Sequence, residues 1–187
     1  MKDAWYDGGA GGHRNLADAR AKAEHLAKRR MLAHIFAQKT IANPEPVVTE
    51  TITVLVAQVD KYSAAGNDIN IRHYLNYFTI DLFAELLYGN SFGCLERGDD
   101  IVSVETRDDK ICEAPFTKSL HNSTVMGTVL GMEAPMLPVT KKCLAWHSYK
   151  VSGADYKNII YHSTKKWLRD PDAEDDIFFK LLKNDKR

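Results

Sequence analysis

The residues best suited to chemistry in this sequence are a histidine and an arginine one helical turn apart, His25 and Arg29. Residues at i and i+4 share one face of a helix, and Leu32 and Phe36 continue the same face toward an apolar end. Arg29 is therefore expected to face the interior with them, and Lys28, rotated by about 100° around the helix, is expected to face solvent. A guanidinium offers a planar fork of hydrogen-bond donors that fits a carboxylate, and a histidine one turn away adds another donor. The alternative interpretation, which composition alone favours, is an exposed arginine on a basic helix face.

The other reactive residue types form no recognisable site. The neighbours Lys28 and Arg30 extend a basic run, but nucleic-acid binding would need a wider basic patch with aromatic residues or a known binding fold. Adjacent aspartates occur at Asp99-Asp100 and Asp108-Asp109, where loop solvation is the better interpretation because adjacent side chains point apart and no partner base is evident. The histidines further along the chain are too scattered to predict a metal site: His121, His147 and His162.

The cysteines argue against a disulfide framework and a zinc site. There are three, an odd number, at Cys94, Cys112 and Cys143, and none belongs to a C-x-x-C pair. This usage favours a reducing compartment. The formal net charge is zero, with 25 basic and 25 acidic residues, so no global field favours nucleic acid as a partner. No apolar run approaches the roughly 20 residues that span a bilayer.

The sequence predicts a mainly α fold, a helical bundle with one minor short strand. Helix-forming residues and a 3.6-residue apolar period indicate helices over 16–38, 43–66, 74–88 and 154–169, with a further acidic-headed helix from Asp170. Gly66 and Gly89 are expected to end two of them, and Asn43 to cap one. The helix over 74–88 is apolar enough to predict burial on most sides. The one short strand is predicted from Asp68 to Ile71 and includes Ile69–Ile71.

Four stretches in a fixed order resemble fungal cytochromes P-450, the haem-thiolate monooxygenases. EHLAKRRMLAHIFAQKTI (24–41) is similar to the C helix of that family, and the Glu45-Pro46 pair with the helix after it resembles the D helix. NYFTIDLFAELLYGNSFGCL (76–95) resembles the E helix, with Thr79 and Asp81 at its polar positions. DPDAEDDIFFKLLKNDK (170–186) looks like the start of the H helix. Among fungal groups, the benzoate para-hydroxylases are the most similar.

The resemblance implies a site and a set of partners. In the family, a histidine and an arginine at the positions of His25 and Arg29 grip a haem propionate, so haem is the implied cofactor. It also implies a small organic substrate, an NADPH-dependent reductase that docks on the basic face, and no nucleic acid. For the complete protein it implies the cytosolic face of the endoplasmic reticulum membrane, with the membrane anchor upstream of this chain.

The departures from the family pattern bear on activity. The F-x-x-G-x-x-x-C-x-G segment that carries the iron-ligating cysteine is absent, and SFGCL (91–95) has the wrong spacing. The acidic-residue–threonine pair for oxygen activation and the E-x-x-R pair are absent too. We therefore expect residues 1–187 to be a partial P-450 domain, incomplete at both ends and inactive alone, with no catalytic residue and no metal ligand. The alternative is a small helical interaction protein without a cofactor.

Overall fold

A computed structural model describes residues 3, 6, 15–33, 44–106, 110–132, 136, 139, 142–143 and 146–169. In this part of the chain the elements are mostly helices, which confirms the predicted mainly α class. In chain order they are α1 (Lys22–Ala33), α2 (Glu45–Ala64), α3 (Ile71–Tyr88), the short α4 (Cys94–Arg97), β1 (Ile101–Glu105), β2 (Ile111–Pro115), α5 (Phe116–Met132) and α6 (Ser148–Leu168).

The first helix begins later than predicted. A helix was expected from Leu16, but residues 16–18 form turns and α1 starts at Lys22. Asn15 causes this local structure: its side-chain oxygen accepts a hydrogen bond from the Asp18 amide at 2.9 Å, and its carbonyl accepts one from Ala19. Asparagine side chains favour such turns over helix interior. The predicted end at Gln38 lies outside the described residues.

The second helix shows how local sequence sets a helix end. Pro44 is the residue before α2, and the predicted capping residue Asn43 lies outside the described part. At the other end, Gly66 has a φ of 64° and donates its amide to Ser63, while the amide of Asn67 reaches back to Tyr62. These two bonds form a Schellman motif, which needs a left-handed residue after the helix. The predicted role of Gly66 is confirmed.

The predicted strand before α3 is wrong. Residues 67–70 form no strand, and Ile71 is already helical. Asn70 instead caps α3, because its side-chain oxygen accepts a hydrogen bond from the His73 amide at 3.4 Å. The predicted end of this helix is confirmed, since Gly89 takes a left-handed φ of 65° and its amide bonds to the Glu85 carbonyl.

Strands occur instead in a stretch for which the sequence predicted neither a helix nor a strand. The strands β1 and β2 form a two-stranded sheet. The connection between them is only five residues long, which requires an antiparallel hairpin. Thr106 closes it: its amide and its hydroxyl both donate to the Lys110 carbonyl, at 2.9 and 3.2 Å. In β1, Val102 and Val104 are buried between exposed residues, the alternation that a half-buried strand requires.

The chain divides into two compact units. One unit comprises Met1–Ala33 and Val104–Tyr161, and the other comprises His34–Ser103 and His162–Arg187. In the second unit, α2 packs against α3 and α4. Its buried cluster is Ala84, Tyr88 and Trp167, with Leu87 and Phe92 packed on it.

Two further predictions are corrected by these elements. The last described helix was expected over 154–169, whereas α6 starts earlier, at Ser148, and ends at Leu168. The α3 helix was expected to be buried on most sides, but Leu75 is 48% exposed and Phe83 is 58% exposed. Its buried face carries Tyr74, Ile80, Asp81, Ala84 and Tyr88.

Candidate functional site

Helix α1 places the two predicted site residues on one face. Its sequence, KAEHLAKRRMLA, consists mainly of alanine, leucine and straight-chain residues, which are good helix formers. Arg29 is exposed and His25 is half-buried. Neither side chain hydrogen-bonds or ion-pairs with another residue in the described part of the chain, so both retain donors for a ligand.

The burial of the neighbouring residues differs from the expected pattern. Arg29 was expected to turn inward with Leu32 and Phe36, and Lys28 to face solvent. The structure shows Lys28 as the better buried of the two, with its ammonium group 2.7 Å from the Glu24 carboxylate one turn earlier. Leu32 is half-buried, and Phe36 lies outside the described residues. Lys28 is therefore already paired within its helix, whereas the guanidinium of Arg29 is accessible.

The donor set of α1 fits the acidic edge of a haem and not its iron. An exposed guanidinium with an imidazole one turn away offers charge-assisted hydrogen bonds to a carboxylate. Arginine has no acceptor and stays protonated, so it cannot ligate a metal ion. Among the described residues no group of three or more His, Cys, Asp or Glu side chains could hold a metal ion. His121 is exposed and His162 is half-buried, on different helices.

Cys94 is chemically inert in this structure. Its side chain is fully buried, and burial, followed by the nearby charge of Asp81, raises the pKa of its thiol to about 12, against a smaller opposing effect of Arg97. The thiol is thus neutral near pH 7, whereas the thiolate is the form that attacks electrophiles and binds metals. Cys112 and Cys143 are exposed.

Asp81 has a structural function that sequence reasoning did not identify. It is only 4% exposed, and its two carboxylate oxygens accept hydrogen bonds from the amides of Cys94 at 3.1 Å and Leu95 at 2.7 Å. These amides open α4, so Asp81 caps that helix from a distance of 13 residues. Thr79, the other polar residue of the same stretch, bonds its own helix through the Leu75 carbonyl.

Arg97 fixes the segment that follows. Its guanidinium donates to the carbonyls of Phe92 and Ile101, both at 2.7 Å, and contacts the Asp99 carboxylate at 3.3 Å. Asp99, expected to be a solvated loop residue, also accepts a hydrogen bond from the Ile101 amide. The sequence signal for this turn was the pair of glycines around α4, Gly93 and Gly98, each with a positive φ.

A tyrosine pair closes the other side of the same unit. The Tyr74 hydroxyl donates to the Tyr62 hydroxyl at 3.2 Å, and burial raises the pKa of Tyr74 to about 12. Gly98 lies against this pair: a Cβ atom there would come within 2.8 Å of the Tyr74 hydroxyl oxygen. A small pocket of about 250 Å³ opens beside the two rings. Its lining is otherwise mostly polar and includes the charged residues Lys61, Glu96 and Arg97.

The larger cleft of this unit suits no anionic cofactor group. It has a volume of about 430 Å³, and its lining includes the acidic residues Glu50, Asp81, Glu85 and Glu96 but no basic residue. These carboxylates repel the negative charge of a propionate. Among the helices that the structure describes, none has the length and apolar character needed to cross a bilayer.

Comparisons with known proteins give the context for these sites. The family model "Cytochrome P450" matches residues 1–170. The chain is 31% identical over 101 residues to "Cytochrome P450 monooxygenase ORF11" of Penicillium roqueforti, covering 53% of this chain and 21% of that protein. It is 25% identical over 149 residues to "Benzoate 4-monooxygenase bphA" of Aspergillus niger, covering 75% of this chain and 29% of that protein.

A third relative, "Cytochrome P450 monooxygenase aba2" of Botryotinia fuckeliana, is 25% identical over 161 residues, which are 86% of this chain and 29% of that protein. The chain thus spans less than a third of the length of these relatives. No solved structure gives a significant match. The family model covers far more than half of the chain and agrees with the resemblance of the motifs on α1, α2 and α3. This chain belongs to the cytochrome P450 family.

Proposed function

We propose that residues 1–187 are part of one domain of a haem-dependent monooxygenase, which in its complete form inserts one oxygen atom from O2 into a small organic substrate. Family membership and the monooxygenases among its relatives support this proposal. A bound haem with a thiolate ligand supplies the oxygen-activating chemistry. The observation that carries the proposal within this chain is the accessible guanidinium of Arg29 beside His25.

The function of this pair is to hold a haem propionate. Arg29 contributes a permanent positive charge and a fork of donors, and a hydrogen bond to a charged group stabilises a complex by roughly 1.5–3 kcal/mol. A neutral His25 imidazole contributes a single donor. Lys28 is already bound to Glu24, so its loss removes at most an exposed-type ion pair, worth about 0–1 kcal/mol.

The chain by itself is proposed to be inactive. Its sequence contains no F-x-x-G-x-x-x-C-x-G segment, and Cys94 is a buried, neutral thiol. In the complete protein we propose an NADPH-dependent reductase as the electron donor, with Arg30 on the exposed basic face of α1 as a docking contact. We also propose the cytosolic face of the endoplasmic reticulum membrane as its location. The alternative of a cofactor-free interaction protein gains no support from the family match.

Haem retention in the complete protein tests the role of α1. We expect Arg29→Ala to accelerate haem transfer to an apo-globin acceptor by about tenfold relative to Lys28→Ala, because each 1.4 kcal/mol corresponds to a factor of about ten. His25→Ala should fall between them. Lys28→Ala is the matched control, one residue away on the same helix. Equal haem loss in the three variants, or the greatest loss for Lys28→Ala, would show that the face of α1 assigned to the cofactor is the wrong one.

A further inference from the structure

The tyrosine pocket, the cavity of about 250 Å³ beside Tyr62 and Tyr74, is lined by two charges of opposite sign that the fold does not use. Its third charged residue, Arg97, is already bound to two carbonyls and to a carboxylate. Lys61 and Glu96 are both exposed, and neither side chain forms an ion pair or a hydrogen bond within the described part of the chain. Both side chains therefore retain their full capacity for a ligand.

The walls of the tyrosine pocket are held in place by contacts of the fold itself. Tyr74 is only 6% exposed, and its hydroxyl donates to the Tyr62 hydroxyl. The Asn67 amide bonds to the Tyr62 carbonyl in the turn after α2. The side-chain nitrogen of Gln58 donates to the Glu96 carbonyl at 3.3 Å, which joins α2 to α4. A site that is formed before binding loses less conformational freedom when a ligand arrives.

The neutral lining residues offer both a donor and an acceptor. The Tyr62 hydroxyl accepts the bond from Tyr74, so its own proton remains available to a ligand. Gln58 uses its side-chain nitrogen toward α4, and its side-chain oxygen accepts no bond within the described residues. The pocket thus supplies a cation and a hydroxyl donor for a carboxylate, and an anion and an amide oxygen for an ammonium group.

Electrostatics favours the tyrosine pocket as the place of the Glu96 carboxylate. Glu96 also lines the larger cleft of about 430 Å³, together with Glu50, Asp81 and Glu85. Like charges repel, so these three acidic residues disfavour a further carboxylate in that cleft. In the tyrosine pocket the unpaired charge is the ammonium of Lys61, which attracts it. A direct ion pair between two exposed side chains contributes little, so it competes only weakly with a ligand that binds both.

We propose that the tyrosine pocket binds a small zwitterion, an amino acid whose carboxylate and ammonium groups are a few carbon atoms apart. Lys61 and the Tyr62 hydroxyl bind the carboxylate of this ligand, and Glu96 and the Gln58 side-chain oxygen bind its ammonium group. A ligand with a single charge leaves either Lys61 or Glu96 unpaired. The pocket is smaller than the roughly 300–1,000 Å³ of sites for drug-sized ligands, which restricts the ligand to a short molecule.

The proposal depends on α2, α3 and α4 and on no residue of the haem site, so it can fail while the proposed function holds. The test is isothermal titration calorimetry of the 187-residue chain and of the complete protein. The probes are two zwitterions, glycine and γ-aminobutyrate, and two molecules with a single charge, butyrate and butylammonium. Lys61→Met and Glu96→Gln each remove one charge at an exposed position. Lys118→Met removes an exposed lysine of α5 outside the pocket and is the matched control.

We expect at least one zwitterion to bind with one-to-one stoichiometry, and at least tenfold more tightly than butyrate or butylammonium. Lys61→Met and Glu96→Gln should each weaken its binding by about tenfold, since each loses a charge-assisted contact, and Lys118→Met should leave the affinity unchanged. Circular dichroism checks that each variant keeps the helix content of the wild type. The proposal is overturned if neither zwitterion binds either protein, or if the molecules with a single charge bind equally well. It is also overturned if Lys61→Met and Glu96→Gln bind the zwitterion as tightly as Lys118→Met does.

Discussion

Removing the carboxylate of Asp81 should destabilise the unit built by α2, α3 and α4. The carboxylate is almost completely buried and accepts the amides of Cys94 and Leu95, which are themselves buried. Asp81→Ala leaves both amides without an acceptor, and each buried unsatisfied donor costs about 1–3 kcal/mol, so the free energy of unfolding should fall by about 2–6 kcal/mol. Asp81→Asn keeps one acceptor oxygen and should cost about half as much.

The same substitution has a second, independent consequence at Cys94. The negative charge of Asp81 helps to raise the pKa of the Cys94 thiol, after the larger effect of burial. Asp81→Asn should therefore lower that pKa. A pH titration of the ultraviolet absorbance of the Cys94 thiolate reports this pKa when Cys112 and Cys143 are replaced by serine, and it is read under conditions where the variant is folded.

Urea unfolding followed by circular dichroism gives the stability change, and Thr79→Ala on the same helix is the matched control. Thr79 is exposed and its hydroxyl bonds only within α3, to the Leu75 carbonyl, so its loss should cost far less. If the Asp81→Ala and Thr79→Ala variants had the same free energy of unfolding, the capping of α4 by Asp81 would contribute nothing to stability. An unchanged pKa of the Cys94 thiol in Asp81→Asn would refute the electrostatic part of the reasoning.

Two further predictions concern the same unit. Gly98→Ala should lower the free energy of unfolding by more than about 1 kcal/mol, since alanine disfavours the φ of 75° and its methyl group meets the Tyr74 hydroxyl. Tyr74→Phe combined with Gly98→Ala should recover part of that loss in urea unfolding. Stability should also fall as the pH rises above about 9: the folded pKa values of Cys94 and Tyr74 lie above their ordinary values of 9.0 and 10.0. The contribution of these two groups to the free energy of unfolding is fully present below their unfolded pKa values and disappears toward pH 12. A free energy of unfolding that stays constant from pH 8 to 11 would contradict this prediction.

The helix ends were predicted from sequence where a local residue dictates them. Gly66 and Gly89 both take the left-handed conformation that ends a helix, which glycine adopts without steric cost. The beginnings were less accurate. Asn15 and Asn70 form turns or caps through their own side chains, and competition of this kind is difficult to distinguish from helix or strand propensity.

The strands were missed for a different reason. The segment 101–115 combines β-branched residues with charged ones, and its pairing depends on the turn closed by Thr106 and Lys110. Such pairing is a contact between two segments, so no property of either one reveals it. At the predicted strand Ile69–Ile71, the cap formed by Asn70 starts a helix instead.

The candidate site, like the fold, was predicted from the sequence only in part. The spacing of His25 and Arg29 put them on one helix face, which the structure bears out as geometry, whereas the relative burial of Lys28 and Arg29 was reversed. The Lys28–Glu24 pair is an i, i+4 pair that the sequence contains, and it could have predicted this. The capping function of Asp81 could not have been predicted from the sequence, because it depends on a fold that brings α3 to the start of α4.

The most direct test of the central claim is the difference spectrum of the reduced protein with carbon monoxide, which reports a thiolate bound to haem iron. The 187-residue chain supplied with haem should give no thiolate-type band. The same reading frame continued beyond Arg187, through a segment that contains the F-x-x-G-x-x-x-C-x-G cysteine, should give it. A thiolate band from the 187-residue chain that disappears on substitution of Cys94, Cys112 or Cys143 by serine would contradict the account, as would its absence from the extended protein.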